Sequence, residues 1–262
     1  MNRIVVFVCC VVLSWSCSKE KSGNLFKQDE TYVKITNLQD RRLSDSLTTY
    51  FTSENAAVRE RAVLAFASVQ DSSVVGKLTQ VLTTDADTSV RIAAATALGQ
   101  TRSRESEKSL KDALTKEQSD NVRDAIIEAY GKTTRSWDLN ADVNEHASAT
   151  AWSLYRASTF NSVEASKNSL AATLLDSKYD ENTRLGAAHF FARGAKDIAN
   201  QFSAIAKSAT EDKSIDVRMA SASALRKIVT DSSFATLEKI FNDDEDYRVR
   251  ISAIRGFQAF PF

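Results

Sequence analysis

Asp138, Asn140, Asp142 and Asn144 set oxygen-bearing side chains at alternate positions, as a calcium-binding loop does. Such a loop also needs a glycine at its sixth position for the sharp turn and a bidentate carboxylate at its twelfth. Val143 and Ala149 stand there instead, so these residues are assigned to turns and helix capping, and no metal is expected. Two histidines, His146 and His189, are the only imidazoles. No Ser/His/Asp spacing and no glycine-rich phosphate loop accompanies them. The three cysteines, Cys9, Cys10 and Cys17, all lie in the first 17 residues, which leaves the rest without a thiolate ligand or nucleophile. With 34 basic and 34 acidic side chains there is no basic excess to displace counterions, so nucleic acid is not an expected partner. These residues predict no catalytic group, no cofactor and no enzyme activity.

What recurs is arginine. Arg59, Arg91, Arg123, Arg218 and Arg250 each follow a valine, and Arg184 follows Thr183, with steps of 32, 32, 61, 34 and 32 residues between them. A fixed period of this length marks a solenoid, in which each unit buries its apolar face only against its neighbours. Alanines follow at one stripe of the same helices (Ala62, Ala65, Ala94, Ala97, Ala187, Ala224, Ala253), small enough for close helix approach. Phe66, Leu98, Tyr130, Phe191, Leu225 and Phe257 then fill the core. A preceding helix in each unit carries apolar pairs four apart: Leu78 and Leu82, Leu110 and Leu114, Leu237 and Phe241. The step of 61 contains one degenerate unit, with its second helix at Ala147 to Arg156. One proline and seven glycines in 262 residues agree with a helical chain. Each arginine falls in the first turn of its helix, where the macrodipole disfavours a cation. The acids just upstream, Asp87, Asp120, Glu181, Asp216 and Asp246, are expected to offset it.

Val-Arg, the alanines four and seven residues on and the following Leu, Phe or Tyr resemble the HEAT-repeat family, in its short bacterial, phycobilin-lyase-like form. The resemblance covers roughly residues 43 to 260. It implies an all-α, right-handed α-solenoid of about seven HEAT-like helix pairs within 29–262, its arginines forming a hydrogen-bonded ladder between loops. The His–Glu pair of the HEAT-repeat iron hydroxylases is missing, and nothing marks a chromophore site.

In solenoids the second helices usually line the concave surface and select partners. Stepping six and ten residues on from each valine position yields Thr96, Gln100, Glu128, Lys132, His189, Arg193, Ser223, Lys227 and Arg255. This polar stripe leans basic toward the C-terminal end and is either a protein- or peptide-binding face or a solvated one. The degenerate unit adds Trp137, Trp152 and Tyr155, rings that either anchor an interface or fill irregular packing.

At the start, Met1-Asn2-Arg3 precedes a ten-residue apolar run, Ile4 to Leu13, too short to span a bilayer but suited to a signal peptide. Ser14-Trp15-Ser16-Cys17 resembles a bacterial lipobox, which implies cleavage after residue 16 and lipidation of Cys17. Residues 17–28 then form a polar tether. The expected location is the bacterial cell envelope, with the outer membrane favoured over the inner. At the other end, the last helix carries Ile251, Ile254, Phe257 and Phe260 with no polar cap after it, and is expected to be covered by a further domain, a partner or a second copy. The arrangement also resembles lipoproteins of the Bacteroidetes type, in which HEAT repeats precede a cyclophilin-like prolyl isomerase domain.

Overall fold

The computed structural model describes residues 30–139, 142–160 and 163–261. Cys17, the apolar leader, the tether and Asn140 lie outside these described residues. Among them there are fourteen α-helices and no strand. One row of helices holds α1 (Glu30–Asp40), α3 (Ala56–Val69), α5 (Thr88–Thr101), α7 (Asp120–Thr133), α8 (Ala147–Phe160), α10 (Glu181–His189), α12 (Ile215–Leu225) and α14 (Tyr247–Phe257), each packed on the next. The other holds α2 (Ser44–Thr48), α4 (Val75–Thr84), α6 (Arg104–Leu114), α9 (Asn168–Thr173), α11 (Phe202–Glu211) and α13 (Asp231–Asp243). The chain is an all-helical solenoid, with every repeat arginine at the fourth position of its second helix.

The helices start where capping chemistry directs. Asn55, Asp87, Ser103, Asp180, Ser214, Thr230 and Asp246 each accept a backbone N–H from the first turn of the helix that follows. Two helices of the first row, α3 and α5, end in a left-handed residue, Gln70 (φ 55°) and Arg102 (φ 52°), the conformation that closes a helix and suits glycine. Gln70→Gly is therefore expected to raise stability by about 0.5–1 kcal/mol, because strain relief exceeds the added chain entropy. Urea unfolding would check it, and a lower midpoint would show that the Gln70 side chain offsets its own strain.

The small-residue stripe does what its spacing predicts: Ala62, Ala65, Ala94, Ala97, Ala187, Ala224 and Ala253 are fully buried. Within the same row Gly99 lies against Ala129, Gly131 against Ser153 and Gly186 against Ala151, at separations that leave no comfortable room for a Cβ. Most of the ring and leucine positions are equally buried, but Phe257 is only half-covered. Phe257 and Phe260 stack with Phe234 at 5.1 and 5.3 Å between ring centroids, so they do not form the open face of the last helix. Ile251, Ile254, Tyr247 and, on α13, Phe241 do.

The degenerate unit is a helix without its pair. α8 begins at Ala147 as the sequence predicts, but residues 134–139 and 142–146 contain no helix. Trp137 is buried there, and its Nε1 donates to Ser153 Oγ of α8 at 2.9 Å. A ring and one hydrogen bond thus cover α8 where a first helix would. The seven second helices are served by six first helices among the described residues.

Candidate functional site

The arginines form the ladder, but with different partners from those expected. Arg59 Nε and Nη2 donate to both carboxylate oxygens of Asp85 at 2.8 and 2.9 Å. Arg91 grips Glu117, Arg184 grips Asp212 and Arg218 grips Asp244 in the same two-pronged way. Each acid lies 26 or 28 residues after its arginine, in the loop that precedes the next second helix. The third nitrogen, Nη1, donates to carbonyls of the arginine's own loop, as Arg91 does to Asp85 and Ala86. Each loop is therefore held by two successive arginines.

None of Asp87, Asp120, Glu181, Asp216 and Asp246 pairs with the repeat arginine that follows it among the described residues, and Asp246 is taken instead by Arg248 at 2.9 Å. Asp87 and Asp246 cap the first turns of α5 and α14, and Glu181 accepts the Ser214 hydroxyl. A capping carboxylate faces the helix amides, whereas the guanidinium reaches over the loop to the next repeat. The unfavourable place of each arginine in the dipole is offset by loop carbonyls and a carboxylate from a neighbour.

Two links differ. Arg123 Nε donates to His146 Nε2 at 3.1 Å, and His146 Nδ1 meets Asp124 Oδ1 at 2.7 Å. An arginine can only donate, so His146 accepts at Nε2 and carries its proton on Nδ1. In α8 the fourth position is Thr150, and six residues before Arg184, where Asp85, Glu117, Asp212 and Asp244 precede their own arginines, stands Lys178. Both partners of that rung are absent together, so the ladder runs as two segments that meet at α8.

The calcium-like run is also occupied locally. Tyr130 donates its hydroxyl to Asp138 Oδ1 at 2.5 Å, Lys111 pairs with Asp138 Oδ2 at 2.7 Å, and Asp142 caps the Asn144 amide. The hydrogen bonds from Lys111 and Tyr130 hold the Asp138 carboxyl below its ordinary range. No group of three or more His, Cys, Asp or Glu side chains converges on one point among the described residues, and no helix there is long and apolar enough to cross a membrane.

The predicted stripe does gather on the second-helix row. Between α5 and α7, Thr96, Glu128 and Lys132 line a groove of about 340 Å³ with Ile92, Asn121 and Asp124. Between α10, α12 and α14, His189, Arg193, Ser223 and Arg255 line one of about 410 Å³ with Leu185, Asp216, Met219 and Arg226. A ring cluster separates the two grooves. Trp152, Tyr155 and His189 stand 5.5–5.9 Å apart, the Arg156 guanidinium lies over Trp152 and Tyr155 at 5.6 and 5.3 Å, and Arg193 donates to the Tyr155 hydroxyl at 3.3 Å. Thr96 and Ser223 return their hydroxyls to their own helices, and Gln100 is half-buried outside both grooves.

Cations crowd this face. Burial, then the nearby Arg156, holds the Lys132 ammonium below its usual range, and burial with Arg193 does the same to His189. Burial raises the Glu128 carboxyl. An arriving carboxylate would relieve the repulsion between Lys132 and Arg156. Arg156 and Arg226 were not on the predicted stripe, because they lie seven and nine residues from the valine register instead of six or ten.

Lys227 leaves the candidate set. α10 ends in a π turn, Phe190–Gly194, and Lys227 Nζ donates to Phe191 O at 2.8 Å and Ala195 O at 2.9 Å. The wide turn leaves carbonyls unpaired at a negative helix end, and the ammonium caps them.

The family described as HEAT repeats matches residues 44–131 and 168–258, the two ladder segments on either side of the broken rung. Among solved structures, an engineered protein is 19% identical, with a TM-score of 0.53 over 87% of this chain and 70% of that one. The complex of CpcE and CpcF of phycocyanin lyase from Nostoc sp. PCC7120 is 15% identical, with a TM-score of 0.49 and coverage of 82% and 86%. Human deoxyhypusine hydroxylase is 16% identical, with a TM-score of 0.37 and coverage of 88% and 96%. No curated protein matches in sequence. The likeness to the engineered protein speaks to fold alone, and it is the family match across more than half the chain, agreeing with the arginine register, that decides: the chain belongs to the HEAT-repeat family.

Proposed function

We propose that this chain is a non-catalytic, protein-binding scaffold, held at a bacterial envelope membrane by lipid on Cys17. The observation that carries the reading is the cluster of Trp152, Tyr155, His189, Arg156 and Arg193 on the open row of second helices. Arginine and large rings are the side chains that most often anchor protein interfaces. The cluster stands between the two grooves and carries more cations than acids. It fits an extended polypeptide segment with carboxylates and one or two apolar side chains, lying on what we take as the concave surface.

The test is retention from solubilised envelope proteins by the purified chain and by a Trp152→Ala/Arg193→Glu variant of unchanged helicity. A partner held by the parent should be weakened at least tenfold by the variant, about 1.4 kcal/mol or more. Identical retention by both would remove this face from the function.

The anchor has its own test. Cys17→Ala is expected to move the protein from the membrane fraction to a soluble or unprocessed form. Unchanged fractionation and migration would remove the lipid from the proposal.

A second reading treats the chain as the HEAT module of a larger envelope enzyme, such as a cyclophilin-like prolyl isomerase. The open apolar end at α13 and α14 favours it.

A further inference from the structure

Three repeat positions behave differently at the α14 end from everywhere else. Five residues after the valine position stand Val63, Ala95, Ile127, Leu154, Ala188 and Ala222, all fully buried, whereas Ile254 is 47% exposed. On the first helices, Leu82 and Leu114 are buried, whereas Phe241 is 42% exposed. The third position is polar. Arg59, Arg91, Arg184 and Arg218 each hold a carboxylate of the next loop, but Arg250 holds only its own loop carbonyls, Asp244 O and Glu245 O, through Nη1. Its Nε and Nη2, the prong that takes the acid elsewhere, have no acceptor among the described residues.

An apolar patch alone does not say what covers it. Here the polar prong beside the patch does, because the four earlier rungs show what it takes: a planar carboxylate on a loop that precedes a packed helix. We propose that the α13–α14 end is a docking face for a further helix pair of the same repeat type. Its small-residue helix packs on Ile254, its other helix covers Phe241, and an aspartate or glutamate between them closes on Arg250.

A second copy stacked head to tail is disfavoured by the same register. The element such a copy would present is α1, where Val33 holds the repeat-arginine position, and six residues before it the sequence carries Lys27 where the later loops carry acids.

The test appends a copy of residues 231–262 directly after residue 262 of the full chain. This places a duplicated Asp244 at the 26-residue separation the ladder uses. The extended protein is expected to unfold in one transition several degrees above the parent, with the appended segment resistant to protease. Changing the appended aspartate to asparagine should remove a large part of that gain. Arg250→Met removes the own-loop hydrogen bonds in both proteins, so it should lower the extended protein by clearly more than the parent. An appended segment that stays protease-sensitive, with an unchanged midpoint, would overturn the proposal. So would a parent chain that sediments as a tight dimer with α14 protected from hydrogen exchange, since the face would then already be filled by a second copy.

Discussion

Replacing Gly131 with alanine is expected to destabilise the fold by about 3 kcal/mol, the upper range for overpacking a helix contact. Gly131 closes α7 against α8, and a Cβ there would run into the backbone and hydroxyl of Ser153. Backbone cannot rotate away as a flexible side chain can, so the two helices would have to separate. Separation would also strain the hydrogen bond from Trp137 to Ser153, which covers α8 in place of a first helix. Gly76 is the internal control. It lies in α4 with nothing within 4 Å of the place a methyl group would take, so Gly76→Ala should be neutral or stabilise by up to about 1 kcal/mol through helix propensity. Denaturant midpoints for the two variants should move in opposite directions. Equal shifts would mean that α7 and α8 do not meet at Gly131.

The second large effect concerns the ladder. Arg218→Met should cost about 2–4 kcal/mol, because it leaves the Asp244 carboxylate, only 6% exposed, without its charge partner. Removing one member of a sheltered pair costs more than the pair contributes, since the remaining charge still has to be desolvated. Acid should reach the same weakness. The hydrogen bond from Arg59 holds the Asp85 carboxyl below its ordinary value in the fold. Burial works against ionisation of Glu117, but the Arg91 fork and the Ser119 and Gln118 amides together outweigh it and keep that carboxyl low as well. A folded value below the unfolded one means stability that is complete above the unfolded pKa, roughly 4, and is lost as pH falls through the lower folded value. Thermal midpoints should therefore decline steeply below about pH 4, and Asp85→Asn should show a shallower decline from a lower starting point. An acid slope identical in parent and variant would show that the ladder does not carry the pH dependence.

Sequence by itself determined the helices and their stacking. The 32-residue register, the alanine stripe and the caps are local patterns, and each local choice agrees with the repeat it belongs to. The start of α8 could be read even inside the degenerate unit, because a small-residue face remains a helix signal without an arginine. Tertiary structure decided the pairings. Asp87 lies four residues before Arg91 and Glu117 lies 26 residues after it, and proximity along the chain favours the first. Folding reverses that order, because the capping carboxylate is taken by the α5 amides while stacking carries the distant loop into reach of the guanidinium. His146 was invisible as a rung for the same reason: only packing shows that its Nε2 faces Arg123. Lys227 shares the stripe's spacing with the open cations, yet a π turn thirty-odd residues earlier captures its ammonium. Periodicity places a side chain on a face, but which partner satisfies it depends on what other repeats bring within about 3 Å.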